Sequence, residues 1–146
     1  MGQVSTGITG APLDVSRAIG DAASPELGGI AVFVGTVRDS ASVTGNEDES
    51  VIRLEYEAHP TLAEAKLREI ADAAATKWDI GRIVAVHRTG TCELGEPTVV
   101  VACGAPHRGD ALEACRWIID TIKAEVPIWK REVYAGAGGS AWVGTP

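Results

Sequence analysis

No stretch of this chain approaches the roughly 20 consecutive apolar residues that a membrane-spanning helix needs. No basic start precedes an apolar core at the N-terminus, so the sequence predicts neither a bilayer span nor a signal peptide. Cysteine is scarce: Cys92, Cys103 and Cys115 are odd in number, widely spaced and outside any paired-thiol motif. Neither a disulfide framework nor a zinc site follows from them. Cys103 in a valine-rich stretch and Cys115 on an apolar helix face read as small packed hydrophobes, in a reducing cytoplasm. Positive charge is also short. A formal net charge of -7 argues against general nucleic-acid or anionic-membrane binding. Familiar catalytic signatures are missing as well. His59, His87 and His107 stand at three separate element ends without metal-ligand spacing. There is no G-x-S-x-G elbow, GxGxxG or GxxxxGK[ST] fingerprint, so the residues call for neither a metal nor a cofactor.

What remains is an ordinary globular composition, 45% hydrophobic and 23% charged, in a length that fits one domain over residues 1–146. Residues 1–12 are Gly/Thr-rich and read as a loose end. A short helix over 13–23 has Asp14 or Ser16 near its start and Pro25 past its end. The run 30–38 is almost continuously apolar, the pattern of a strand buried on both faces, and it ends in Arg38. Residues 39–50 (DSASVTGNEDES) are polar and acidic and read as a mobile loop, placed to act as a flap over a site. The stretch 51–58 alternates as a half-exposed strand. Pro60 suits the first turn of a helix over 62–78. Strands over 82–87 and 98–103 flank a turn at Leu94-Gly95-Glu96-Pro97. A second long helix runs over 109–125, then strands at 129–135 and 141–143 enclose a turn at 136–139. Tight turns between neighbours favour antiparallel pairing. The expectation is α+β: a mixed, mainly antiparallel sheet with helices covering one side.

The chemistry gathers around Val126-Pro127-Ile128-Trp129-Lys130-Arg131-Glu132. Pro127 must stop the helix, so Lys123 lies in its last turn and Lys130 in the extended segment beyond. A reversal there brings both amines to one side of a pocket, unless they are simply solvated. Burial or nearby positive charge lowers a lysine pKa and permits proton transfer or attack by the amine. Without that lowering the pair is an anion clamp. Glu132 is placed to pair with either lysine. Arg38, His107, Arg108 and Arg131 also stand at ends of apolar elements, with Arg108 beside a helix N-terminus that favours an anion. If these ends converge, the pocket suits a phosphate.

Six segments occur in an order that resembles a known family. They are Phe33-Val34-Gly35-Thr36-Val37-Arg38, Leu54-Glu55-Tyr56-Glu57-Ala58, His87-Arg88-Thr89-Gly90, Leu94-Gly95-Glu96, Pro106-His107-Arg108 and the run from Lys123 through Pro127-Ile128-Trp129-Lys130-Arg131-Glu132. Together they resemble the large, catalytic subunit of molybdopterin synthase, the MoaE family. The resemblance implies an α/β hammerhead-like domain with an additional antiparallel β portion. It implies a sulfurtransferase that converts cyclic pyranopterin monophosphate to molybdopterin in molybdenum cofactor biosynthesis. The two dithiolene sulfurs would come from the C-terminal glycine thiocarboxylate of a small ubiquitin-like sulfur-carrier subunit. A homodimer of large subunits within a heterotetramer is implied too. The family's two important lysines fall on Lys123 and Lys130. Its substrate contacts fall on Thr36, Val37, Arg38, His107, Arg108, Lys123, Lys130, Arg131 and Glu132. Some relatives carry lysine where this chain has Thr36.

Overall fold

The computed structural model describes residues 2–136 and 139–144. Two four-stranded sheets share the chain. The first has the order β1-β4-β6-β2, built from β1 (Gln3–Thr9), β4 (Arg82–Arg88), β6 (Pro97–Ala105) and β2 (Gly29–Thr36). Only β1 and β4 run parallel; the other pairs are antiparallel. The second has the order β5-β3-β7-β8, with β5 (Gly90–Glu93), β3 (Val51–Ala58), β7 (Ile128–Tyr134) and β8 (Ser140–Val143), all antiparallel. The expected α+β class, with a separate antiparallel portion, is what the chain forms.

Period-two alternation along β4 and β6 sends side chains into two different cores. Ile83, Ala85, Val99, Val101 and Cys103 meet Leu67, Ile70 and Ala74 of α2 (Leu62–Lys77) and Ala114, Cys115, Ile118 and Ile122 of α3 (Arg108–Glu125). Val84, Val100 and Ala102 face the other way, onto Ala18 and Ala22 around the short α1 (Val15–Asp21). Helices therefore lie on both sides of this sheet, where one was expected. Asp14 caps α1, its side chain accepting from Arg17 N at 3.0 Å. At α2 the cap is His59, whose Nδ1 accepts from Thr61 N and Leu62 N. The second sheet has its own core of Val37, Val51, Leu54, Tyr56, Cys92 and Tyr134.

Three expectations are corrected. Residues 3–9, read as part of a loose end, pair with β4 from Gln3↔Arg82 to Thr9↔Arg88. Val4 and Ile8 seat that strand against the main core, and Gly7, with Gly2 and Gly10 on either side of the strand, had disguised its pattern. The strand read as buried on both faces, β2, is instead the outermost strand of its sheet, with Ile30, Val32 and Phe33 each 37% exposed. A continuous apolar run identifies a strand but not what lies beside it. Finally, Gly90–Glu93, read as part of a connection, is a strand paired with β3. The turn expected at 136–139 falls partly outside the described residues. No helix among the described residues is long and apolar enough to cross a membrane.

Candidate active site

Pro127 ends α3 as its ring requires. Val126, the last cap residue, is already extended (φ -77, ψ 127) while its N–H still bonds Ile122 O at 3.0 Å. The chain then turns directly into β7 of the second sheet. Lys123, in the last helical turn, and Lys130, third residue of β7, come to line the same two cavities. One cavity, about 230 Å³, has apolar walls from Ile122, Val126, Ile128 and Val143, with Tyr56 and His87 completing it. The other, about 310 Å³, is polar: Thr36, Arg38, Ser40, Ser42, Thr98 and Glu132 line it beside Phe33 and Tyr56. The two lysines and Tyr56 are common to both.

Neither lysine forms an ion pair among the described residues. Burial, and then the adjacent Lys123 charge, pull the Lys130 amine below the ordinary lysine value; Glu132 opposes this and Arg38 adds to it. A half-buried lysine held next to a second cation is suited to giving up and retaking a proton.

The polar cavity is bounded by the 39–50 segment. Its base is closed by a bridge between Ser40 and Ser50, and Val51 N donates to Asp39 O at 2.8 Å. Its inner end is tied to β7. Glu132 is only 2% exposed, and its two oxygens accept from Ser42 N (2.8 Å) and from the Tyr134 hydroxyl (2.9 Å). Asn46 Nδ2 donates to that same hydroxyl at 3.3 Å. Ser42 Oγ in turn receives the Arg38 guanidinium at 2.9 Å. Glu132, expected to pair with a lysine, thus anchors the loop that positions Arg38.

His87 was not expected here. It is the penultimate residue of β4, is 8% exposed, and its ring packs T-shaped with that of Tyr56 at a centroid distance of 5.0 Å. Nδ1 lies 2.7 Å from the Arg88 carbonyl, so that nitrogen carries the proton and donates. Burial above all holds the ring neutral, pushing its pKa down to about 4; the Arg88 carbonyl opposes this, and the Lys123 and Lys130 charges reinforce it. Tyr56, Ser42 and Thr98 are further lining groups that the sequence did not single out. Tyr56 lay inside one of the segments that carry the family resemblance, Ser42 in the polar loop and Thr98 next to the start of β6, but nothing local pointed any of them at the lysines.

The remaining candidates do not join them within one chain. His107 and Arg108 are exposed at the N-terminus of α3, sixteen and fifteen residues before Lys123, hence roughly 24 Å away along the helix axis. Arg131 lies on the opposite face of β7 from Lys130 and Glu132. It pairs with Glu55 across the sheet and stacks over Trp142 at 5.5 Å. Val37 is buried in the second core. Among the described residues no group of three or more His, Cys, Asp or Glu side chains is placed to hold a metal ion.

Comparison with known proteins agrees with this architecture. The family model described as "MoaE protein" matches residues 8–125. The molybdopterin synthase catalytic subunit of Arabidopsis thaliana is 41% identical over 133 residues, covering 91% of this chain and 64% of the plant protein. The chain therefore spans somewhat under two thirds of that relative's length. Catalytic subunit 1 of Mycobacterium tuberculosis is 39% identical, with 94% of this chain and 88% of that protein covered. The crystal structure of molybdopterin synthase from Staphylococcus aureus superposes with a TM-score of 0.83 at 34% identity, covering 94% of this chain and 95% of that one. With the family match extending from β1 to the end of α3 and the fold shared with the staphylococcal enzyme, this chain belongs to the MoaE family of molybdopterin synthase catalytic subunits.

Proposed function

We propose that this protein converts cyclic pyranopterin monophosphate to molybdopterin, taking both dithiolene sulfurs from the thiocarboxylated C-terminal glycine of a small ubiquitin-like carrier. The observation that carries this reading is the position of Lys123 and Lys130 where two cavities meet, one with an aliphatic wall and one lined mainly by polar groups. The cavity walled by Ile122, Val126, Ile128 and Val143 suits a glycine tail, which has no side chains to accommodate and ends in an anion for the ammonium groups. The polar cavity, with Arg38 at its rim, suits a phosphorylated pterin. The lysines then face both the sulfur donor and its acceptor. Lys130, its pKa lowered, serves the proton transfers, and Lys123 polarises the thiocarboxylate and the pterin intermediate. Three free cysteines, all buried, fit a cytoplasmic enzyme whose sulfur arrives on its partner.

The distance to His107 and Arg108 supports a homodimer that shares its sites, within a heterotetramer that adds one carrier per large subunit. The β2 strand has a free edge, flanked by exposed Ile30, Val32 and Phe33. At one end, Gly29 sits against the Arg108 backbone; at the other, Val34, Gly35 and Thr36 line the polar cavity. A two-fold antiparallel pairing of β2 with its copy sets each strand's Gly29 end beside the other's Thr36 end. His107 and Arg108 of one subunit then approach the phosphate side of its neighbour's pocket.

Reconstitution with thiocarboxylated carrier and the cyclic phosphate tests the activity; dithiolene product is expected, and its absence with the folded wild-type pair would overturn the reading. Lys123→Ala and Lys130→Ala should each abolish turnover. Mixing Lys123→Ala subunits with Arg108→Ala subunits distinguishes the dimer arrangement. Shared sites give one intact pocket in each mixed dimer, hence about a quarter of wild-type activity after random exchange. Pockets built within one chain give none.

A further inference from the structure

The buried imidazole of His87 has no part in the reading above, yet its surroundings give it a definite one. Tyr56 is the direct cross-strand partner of Lys130, so their side chains project to the same face of the second sheet. His87, from the first sheet, packs T-shaped with that same Tyr56 ring at 5.0 Å. Tyr56 therefore bridges the histidine and the lysine, and all three line the smaller cavity of about 230 Å³. With Nδ1 donating to the Arg88 carbonyl, the nitrogen left for the cavity is Nε2, which carries a lone pair. Lys130 forms no ion pair among the described residues, and three ammonium hydrogens need acceptors.

We propose that His87 is a positioning residue for Lys130, its Nε2 accepting a hydrogen bond relayed from the Lys130 amine through one water, and so fixing the direction in which that amine faces the entering tail. A neutral acceptor is the suitable group at this position. A carboxylate would hold the lysine firmly protonated and would repel both a thiocarboxylate and a phosphate. An uncharged imidazole orients the ammonium without adding negative charge, and burial next to two cations keeps it uncharged. The proposal rests on the sulfur-transfer reading for its catalytic consequence, but the hydrogen bond itself does not.

Three substitutions separate the two nitrogens. Gln places an amide near the Nε2 position, Asn near the Nδ1 position, and Phe keeps the ring edge on Tyr56 with neither. Each variant, checked for folding by its melting curve, is assayed in the complete complex with thiocarboxylated carrier. His87→Phe and His87→Asn are expected to lose up to about 100-fold in kcat with KM for the cyclic phosphate nearly unchanged. His87→Gln is expected to recover most of that loss. In parallel, competitive acetylation of the Lys130 amine across pH, read by mass spectrometry, reports the hydrogen bond without any turnover. Its midpoint should fall in the Phe and Asn variants, because an acceptor that favoured the ammonium is gone, and return with Gln. A Gln variant as impaired as Phe, or a Lys130 labelling midpoint indifferent to all three changes, overturns the proposal. Failure of the wild-type complex to form dithiolene would instead overturn the sulfur-transfer reading, with the labelling result still deciding the role of His87.

Discussion

Removing the Glu132 carboxylate should loosen the 39–50 segment before it affects anything else. Both oxygens of this buried side chain are used: Ser42 N donates to one at 2.8 Å and the Tyr134 hydroxyl to the other at 2.9 Å. A hydrogen bond to a charged group contributes about 1.5–3 kcal/mol. Gln keeps a carbonyl oxygen for the Ser42 N–H and turns its amide towards a hydroxyl that can accept. Glu132→Gln should therefore forfeit mainly the charge assistance, about 2 kcal/mol. Glu132→Ala loses both bonds and leaves a void, about 4 kcal/mol. At about 3 °C per kcal/mol for a chain of this size, Tm should fall by about 6 °C and 12 °C respectively. Amide exchange locates the effect. If the 2 kcal/mol is lost where the loop meets β7, exchange at Ser42 should quicken about 30-fold in the Gln variant, while the α2 and α3 amides change only with global stability. Tyr134→Phe combined with Glu132→Gln should be non-additive by about 1 kcal/mol, since both changes break the same contact. A Tm drop with Ser42 exchange no faster than in the helices would refute the anchoring role. So would an Ala variant melting within about 2 °C of wild type.

Two further expectations concern protons. Lys130 has a folded pKa below its ordinary 10.5, so between those two values the unfolded chain binds more protons and stability rises with pH. Lys130→Met should accordingly be at least as stable as wild type at pH 7, with the gap closing towards pH 10.5, while sulfur transfer is lost; urea titrations at the two pH values check it. His87 has the same sign in a lower window. Its pKa falls from 6.5 to about 4 on folding, so stability is intact above 6.5 and erodes as pH drops towards 4. The full cost is about 3 kcal/mol. His87→Gln, which cannot titrate, should flatten that acid limb, and an unchanged acid midpoint would count against a neutral buried imidazole.

The polar cavity and its loop show how far local pattern reaches. The length and polarity of the acidic run after Arg38 marked a loop beside a pocket, and the structure places Ser40 and Ser42 on a cavity wall. Nothing local revealed that Ser42 would meet Glu132, ninety residues later. The same limit applies to Arg131 and Glu132. Adjacent residues of a strand must face opposite ways, so a motif that names both as contacts cannot place both in one pocket. Only the sheet's orientation decides that Glu132 is the inward one.

The sequence by itself determined roughly where all three helices and six of the eight strands lie. Periods of 3.6 and 2, the stop at Pro127 and the cap at Asp14 are short-range effects, carried by the backbone and its nearest neighbours. It also determined that Lys123 and Lys130 would stand on either side of a helix-to-strand junction. Tertiary structure alone decided which strand lies at the sheet edge, that residues 3–9 add a parallel strand, and that His87 comes to the lysines. Those outcomes depend on strand order and on which face packs against which helix. They are set by burial summed over residues far apart in the chain, and no local window of sequence contains that sum.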